Sequence, residues 1–300
     1  MSARASGVAL ALATAIVSGI SIYLNGRAVR HFGDATVYTT AKNLVAAVLL
    51  VTVALLAARR TPVAASPPPT RRQWLALFAL GVIGGSVPFV LFFEGLARAE
   101  ATQASFIQKT LVIWVALLAV PFLHERLGRW HLLAIGLLVA GQAWLVGSAG
   151  TIAFGEGEAM ILAATLLWAV EVVYVKKLIG PLSPRLLAAA RMGFGTAILI
   201  AWVGVTGKMG ALTGLDGAQW RWILLTGLLL TLYVATWYEA LARAQAVDVT
   251  AVLVFGAAVT ALLSGAVDGV AVSVAGTLAI AAGVGIVAFL AVRPSEPVAT

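Results

Sequence analysis

The stretch FEGLARAEATQASF, residues 93–106, recurs as YEALARAQAVDVTA at residues 238–251. Over the first nine positions six residues are identical and three are conservative, and the two copies lie 145 positions apart. A glutamate and an arginine hold the same places in each copy, Glu94 with Arg98 and Glu239 with Arg243. This duplication predicts that the chain of 300 residues consists of two structural repeats.

The composition is that of a membrane protein. Hydrophobic residues make up 61% of the chain and charged residues 11%, and the mean hydropathy is +1.01; a soluble domain has about 25% charged residues. The chain has no cysteine, which excludes a disulfide framework and a thiolate metal site. The net charge is +8, and the basic residues occur in short clusters between apolar runs. This pattern favours contact with lipid headgroups over contact with nucleic acid.

Apolar runs long enough to cross the membrane occur ten times. Crossing about 30 Å of hydrocarbon takes roughly 20 residues. We number the runs spans 1–10, at about 7–26, 35–58, 74–97, 102–122, 130–148, 157–178, 184–206, 219–242, 248–267 and 272–292. The predicted fold is therefore an all-α integral membrane protein with ten transmembrane helices. The stretch RRTPVAASPPPTRR (59–72) predicts a solvated loop, and residues 294–300 a polar tail.

Loop arginines and lysines are divided unequally between the two membrane faces. One face receives Arg4, Arg59, Arg60, Arg71, Arg72, Arg126, Arg129, Lys176, Lys177, Arg185, Arg243 and Arg293. The other receives Arg27, Arg30, Arg98, Lys208 and Arg221. Because positive charge concentrates in cytoplasmic loops, we expect both termini in the cytoplasm and the multi-pass chain in the cell (inner) membrane.

An odd number of spans in each copy makes the repeats inverted. Spans 3 and 8 contain the first and second copies of the opening stretch, so with five spans per repeat they cross the membrane in opposite directions. The predicted repeats are residues 1–149 and 150–293. Inverted repeats are typical of secondary transporters, in which two similar halves alternate which side of a central site is open.

The layout and one motif resemble a known family. The first copy runs on into QKTLVIWVALLAVPFLHERL (108–127), which ends in P-x-x-x-E-R-L from Pro121 to Leu127. With the five-plus-five layout this resembles the EamA-like branch of the drug/metabolite transporter superfamily. The resemblance implies a metabolite exporter whose central cavity is built from spans 1–4 and 6–9. The second copy departs from the motif, because SGAVDGVAVSVAG (264–276) has no glutamate–arginine pair.

Four ionisable residues stand out because they lie well inside predicted spans: Lys42, Lys109, Glu171 and Arg191. Each costs roughly 2.5–3.5 kcal/mol on insertion scales, so each indicates a structural or functional purpose. Lys42 and Arg191 occupy matching places in the two repeats, and for them both purposes stay open.

Lys109 and Glu171 have no charged counterpart, since Val254 and Ile20 occupy the matching positions. They bind substrate or pair with each other in a salt bridge, and the long stem of Lys109 also permits its ammonium to snorkel towards the interface. The segment TLLWAVEVVYVKKL (165–178) is similar to the first helix of the small multidrug resistance proteins. That similarity implies, for Glu171 alone, a carboxylate that exchanges a proton or binds a cation.

Aromatic and polar side chains near these charges are predicted to line the substrate site. Trp168 precedes Glu171 by three residues, and Tyr233 and Trp237 are spaced i, i+4 on span 8. Span 1 carries a polar stripe at helical spacing that consists of Thr14, Ser18, Ser21 and Asn25.

The duplicated glutamate–arginine pairs are spaced i, i+4, so each places both charges on one helix face. The pairs Glu94–Arg98 and Glu239–Arg243 are interpreted as structural ties or as gate contacts made on alternating sides. Gly84, Gly85 and Pro88 in span 3 predict a hinge, because proline removes a backbone donor.

No sequence signature of catalysis is present. There is no G-x-x-x-x-G-K-[ST] loop, no H-E-x-x-H motif and no intramembrane aspartate pair, so we expect no enzyme, no catalytic residue, no metal and no cofactor. The leading hypothesis is a secondary active exporter of a small amphipathic metabolite such as an amino acid. In it Lys109 meets the carboxylate, and Glu171 meets the ammonium or carries a coupling proton. The alternatives are export of lipophilic cations, or carriage of anionic or phosphorylated metabolites by Lys42, Lys109 and Arg191.

Overall fold

The computed structural model describes residues 2–60, 69–149 and 154–292. Within these ranges ten helices are long and apolar enough to cross a membrane: Ala3–His31, Ala35–Arg59, Arg71–Leu96, Ala101–Leu123, Arg129–Gly147, Glu156–Leu178, Pro184–Val205, Gly217–Arg243, Ala246–Asp268 and Val274–Val292. They are spans 1–10 in order. The predicted all-α ten-span fold is confirmed. The predicted tail and most of the predicted loop at 59–72 lie outside the described residues.

Side-chain caps set where several spans begin. Thr70 and Gln73 form a capping box at the start of span 3, and Asp216 and Gln219 form another at the start of span 8. The Ser183 hydroxyl accepts a hydrogen bond from the Leu186 N–H at the start of span 7. These polar side chains satisfy N–H groups that have no partner within the helix.

Spans 4 and 9 are interrupted at equivalent positions of the repeat. Span 4 consists of helices Ala101–Lys109 and Leu111–Leu123, and span 9 of Ala246–Leu253 and Phe255–Asp268. The last residue of the first helix in span 4, Lys109, aligns with Val254, the residue at which span 9 is interrupted. The two breaks thus lie within one residue of each other in the repeat alignment.

Span 3 contains a π-helical segment, Gly81–Ser86, between α-helices Arg71–Leu80 and Val87–Leu96. Pro88 has no N–H to donate to the Gly84 carbonyl four residues earlier. The Trp168 indole Nε1–H donates to that carbonyl at 3.2 Å. Span 6 therefore stabilises the irregular turn of span 3.

The spans pack as two bundles related by the inversion. Span 6 packs on spans 3 and 4, and its repeat equivalent, span 1, packs on spans 8 and 9. We call these the 3-4-6 bundle and the 1-8-9 bundle. Spans 2 and 7 pack on each other and on both bundles, and spans 5 and 10 pack mainly together. The two bundles meet along spans 4 and 9.

Ionic contacts between helix ends define two faces. At the face where span 1 begins, Arg4 pairs with Asp248. Arg185 lies 3.8 Å from Glu239 at the same face, which we call the terminal face. At the opposite or distal face Arg30 pairs with Glu100. The two copies of the duplicated stretch thus lie at opposite faces, as inverted repeats require.

Candidate substrate cavity

A cavity of about 60 Å³ lies between the two bundles. Its aromatic lining consists of Phe89, Phe92, Phe93, Trp168, Tyr233 and Trp237. Its polar lining consists of Ser18, Ser21, Asn25, Gln108, Glu171 and Arg191. At roughly 10–15 Å³ per enclosed water the space holds about four water molecules, so a metabolite requires the bundles to separate.

The aromatic residues predicted for the site are brought together. Tyr233 and Trp237 stack with ring centroids 6.0 Å apart, and Trp168 packs against Phe89 and Phe92 at 5.7 and 5.4 Å. Three of the four residues of the span 1 stripe line the cavity, whereas Thr14 is buried against Thr236, to which its hydroxyl donates at 2.7 Å. The cavity wall is thus largely aromatic with polar groups from span 1.

Glu171 pairs with Arg191. Their closest nitrogen–oxygen distance is 2.9 Å, and the Arg191 Nη2 donates to Glu171 Oε2 at 3.1 Å. The Tyr238 hydroxyl donates to Glu171 Oε1 at 2.6 Å. Among the described residues no Lys109–Glu171 ion pair is formed, so the salt-bridge hypothesis for those two residues is wrong. Neighbouring spans 6 and 7 bring Arg191 to Glu171, which the repeat alignment did not reveal.

Lys109 is buried behind the cavity wall. Its ammonium donates to the Ser18 hydroxyl at 2.7 Å and to Gln108 Oε1 at 2.6 Å, and both acceptors line the cavity. Lys109 is 1% exposed. Lys109 therefore contacts two neutral residues of the cavity wall and does not line the cavity itself.

Lys42 is also buried, and it rests on aromatic rings. Its ammonium lies 3.4 Å from the centroid of Phe93 and donates to Asn25 Oδ1 at 3.3 Å. The Tyr38 hydroxyl donates to the same amide oxygen at 2.6 Å. Asn25 thus links the Lys42 environment to the cavity, whereas Lys42 itself does not line it.

Buried basic side chains outnumber acidic ones around the cavity. Of the buried ionic side chains in the described ranges, Lys42, Lys109, Arg191 and Glu171 lie well inside their spans. Buried Glu158 and Asp248 stand instead in the first turns of spans 6 and 9. Three basic side chains and one acidic side chain therefore lie at the centre of the bundle.

The predicted hinge packs directly against the ion pair. A Cβ on Gly84 would lie 2.6 Å from the Glu171 carboxyl carbon, and a Cβ on Gly85 would lie 2.0 Å from the Arg191 carbonyl oxygen. Only glycine allows span 3 to approach spans 6 and 7 this closely. Pro88 follows the π segment at the start of the next helix.

Each duplicated pair forms within its own copy of the repeated stretch, at the end of span 3 or of span 8. Arg98 and Glu94 approach to 2.7 Å, and Arg243 and Glu239 to 2.8 Å. Glu94 also accepts from the Thr36 hydroxyl at 2.8 Å. Each pair ties one helix end to a neighbouring span at its own face, and neither joins the two bundles.

Sequence reasoning missed Tyr238, Gln108 and the span 3 phenylalanines. A signal for Tyr238 exists in the repeat, because Phe93 and Tyr238 begin the two duplicated copies. In the structure Phe93 lies under Lys42, and Tyr238 bonds Glu171, the partner of Arg191. The matched basic residues thus sit beside matched aromatic residues.

Ten inverted-repeat helices around an aromatic and ionic cavity define a membrane transporter fold. The chain belongs to the EamA-like transporter family, whose model matches residues 5–147 and again residues 155–292. It is therefore a membrane transporter of the drug/metabolite type.

The fold is shared with solved structures, of which 29 chains match. One of them, described only as the crystal structure of a protein, aligns with a TM-score of 0.71 at 17% identity over 93% of this chain and 99% of its own. This similarity shows the fold alone. No curated protein matches the chain.

Proposed function

We propose that this protein is a secondary active transporter that exports a small amphipathic metabolite, with an amino acid as the best-fitting class. The observation that carries the proposal is the excess of three buried basic side chains over one acidic side chain around an aromatic cavity. Such an environment favours a ligand that has a carboxylate beside an apolar group. Outward transport follows the exporters that the sequence resembles.

The carboxylate end of the substrate is assigned to Lys109, through Ser18 and Gln108. These two side chains stand at the wall and accept hydrogen bonds from the ammonium. A small shift of either would let a substrate carboxylate take its place. The apolar part packs on Trp168, Tyr233 and Trp237, and the substrate ammonium points towards Glu171.

The second role proposed for Glu171, in place of binding the ammonium, is to carry a coupling proton. In this role Glu171 and the substrate carboxylate at Lys109 compete for the Arg191 guanidinium, because both carry the complementary charge. When Glu171 takes a proton, Arg191 becomes free to bind the substrate carboxylate as well. A Glu171→Gln variant is then expected to exchange substrate across the membrane but to lose its response to a pH gradient.

The protein is proposed to lie in the cell membrane with its terminal face towards the cytoplasm. The unequal numbers of loop lysines and arginines support this orientation. With it, the duplicated Glu239–Arg243 pair lies inside the cell and Glu94–Arg98 outside. The two repeats are proposed to be residues 1–149 and 150–293.

A set of three compounds that share one phenyl group tests the substrate class. Counterflow into proteoliposomes is measured for phenylalanine, phenylacetate and phenethylamine, which are a zwitterion, an anion and a cation. We expect phenylalanine to be carried, phenylacetate less well, and phenethylamine not at all. Transport of phenethylamine alone would favour the lipophilic-cation alternative and refute the proposal.

A further inference from the structure

The turn between spans 8 and 9 is held by two ionic side chains from the other bundle. Glu125, just after span 4, accepts hydrogen bonds from the Ala246 N–H at 2.7 Å and the Val247 N–H at 3.1 Å. Lys176, near the end of span 6, donates to the carbonyls of Leu241 and Ala244, both at 2.9 Å. We call Glu125 and Lys176 the turn clamp.

Each member of the turn clamp has the charge that its helix end requires. The start of span 9 presents N–H groups without partners in the helix, and the end of span 8 presents carbonyls. Gln245, at the N-cap of span 9, makes no side-chain capping bond. The carboxylate of Glu125 therefore caps span 9 from across the molecule.

The clamped turn is also fastened within its own bundle. Asp248, in the same first turn of span 9, is fully buried and pairs with Arg4 of span 1 at 2.9 Å. His131 of span 5 approaches Asp248 to 3.3 Å. The turn is thus tied to the 1-8-9 bundle, and the turn clamp adds ionic hydrogen bonds between it and the 3-4-6 bundle.

At the equivalent turn between spans 3 and 4, the residues that match Glu125 and Lys176 in the repeat, Val270 and Asn25, are not ionic. Glu100, at the N-cap of span 4, makes no side-chain capping bond. The second copy lacks a glutamate where Glu125 stands in the first. Across the distal face Arg30 and Glu100 are 3.5 Å apart with side chains 57% and 78% exposed, and an exposed pair contributes little.

We propose that Glu125 and Lys176 form the gate of the terminal face. The gate rests on the proposed transport function, since alternating access requires the bundles to part at this face once in each cycle. Because the gate is built on one face, it biases the resting protein towards the state closed at the terminal face. It also gives the P-x-x-x-E-R-L ending of span 4 a role that the second repeat does not share.

Spin-label distances test the gate without any substrate, and the cysteine-free chain makes labelling simple. A terminal-face pair is made by Ala9→Cys on span 1 and Leu117→Cys on span 4, both exposed positions. A distal-face pair is made by Gly33→Cys and Ala97→Cys, also exposed. Double electron–electron resonance then reports both faces in the purified protein.

Glu125→Gln and Lys176→Met are each expected to raise the fraction open at the terminal face about tenfold, since charged hydrogen bonds are lost. The distal distance is expected to shorten in the same samples. The matched controls are their exposed neighbours, Arg126→Gln and Lys177→Met, which are expected to leave both distances unchanged.

If both gate variants give the same spin-label distances as the control variants, the gate proposal is wrong. Lengthening at the terminal face without shortening at the distal face would also overturn it, because that result describes local fraying. If the distances shift as expected while phenylalanine is not carried, the gate stands and the proposed substrate class fails.

Discussion

Arg191 and Glu171 form an ion pair, with a closest nitrogen–oxygen distance of 2.9 Å, between two adjacent spans of the second repeat. Tyr238 from span 8 completes the contact. Both residues line the cavity. The pair also ties span 6 to span 7.

Removing one partner of this pair should be more damaging than removing both charges. Arg191→Met is expected to destabilise the protein by about 3–5 kcal/mol, because a buried carboxylate loses its partner. The double variant Arg191→Met with Glu171→Gln should recover most of that loss. Unfolding in detergent measures both, with the exposed Arg221→Gln as a control. Equal losses in the single and double variants would contradict the ion-pair account.

The glycines of span 3 should tolerate no side chain. Gly85→Ala is expected to destabilise by about 1–3 kcal/mol, because its Cβ would lie 2.0 Å from the Arg191 carbonyl oxygen. Gly136→Ala in span 5 is the control, since no atom lies within 4 Å of its Cβ position. A loss in the control as large as that in Gly85→Ala would mean that the close approach of spans 3 and 7 is not the cause.

Asp34 should contribute stability that acid removes. Burial raises the pKa of this carboxyl, but hydrogen bonds from Lys208 and the Val37 N–H outweigh burial, and the pKa lies below its ordinary value of 3.8. A carboxyl whose pKa is lowered by folding stabilises the folded protein at pH values above its ordinary pKa. This stabilisation is lost as the pH falls through the pKa of the folded protein. Asp34→Ala should cost about 1 kcal/mol at pH 7, largely through loss of the cap on span 2.

Asp34→Asn separates the cap from the charge, because asparagine also accepts the Val37 N–H. Its loss of stability at pH 7 should be smaller, and its stability should depend less on acid. Denaturant unfolding between pH 3 and pH 7 measures both variants. An acid dependence as large as that of the parent protein would show that Asp34 is not its source.

Single cysteines should report the proposed orientation. A membrane-impermeant maleimide applied to intact cells is expected to label Gly33→Cys at the distal face and to leave Gly128→Cys at the terminal face unlabelled. Permeabilised cells should label both. Labelling of Gly128→Cys alone in intact cells would reverse the orientation.

The sequence was enough for the spans and their inversion, because hydrophobic length and an odd number of spans per repeat decide them. The sequence also predicts Trp168, Tyr233, Trp237 and Asn25 for the site, and all four line the cavity. Helical spacing explains only why Tyr233 and Trp237 share one face of span 8. The partner of Glu171 could not be predicted, because it depends on which spans pack together. The repeat alignment matches Arg191 with Lys42, and it carries no information on the contact between Arg191 and Glu171.

The turn clamp was likewise beyond prediction. The sequence shows that the ending of span 4 differs between the repeats. The groups that Glu125 and Lys176 bind, however, are backbone atoms. A backbone group carries no sequence signal. Only the packing of spans 8 and 9 against spans 4 and 6 identifies it.

The central claim is that the buried basic side chains select a substrate with a carboxylate. The most direct measurement compares phenylalanine counterflow in Lys109→Met and in Lys177→Met, which removes an exposed lysine from the terminal face. The account predicts at least about a tenfold loss in Lys109→Met, since a charged hydrogen bond is worth about 1.5–3 kcal/mol, and unchanged transport in Lys177→Met. Full transport of phenylalanine by folded Lys109→Met would contradict it.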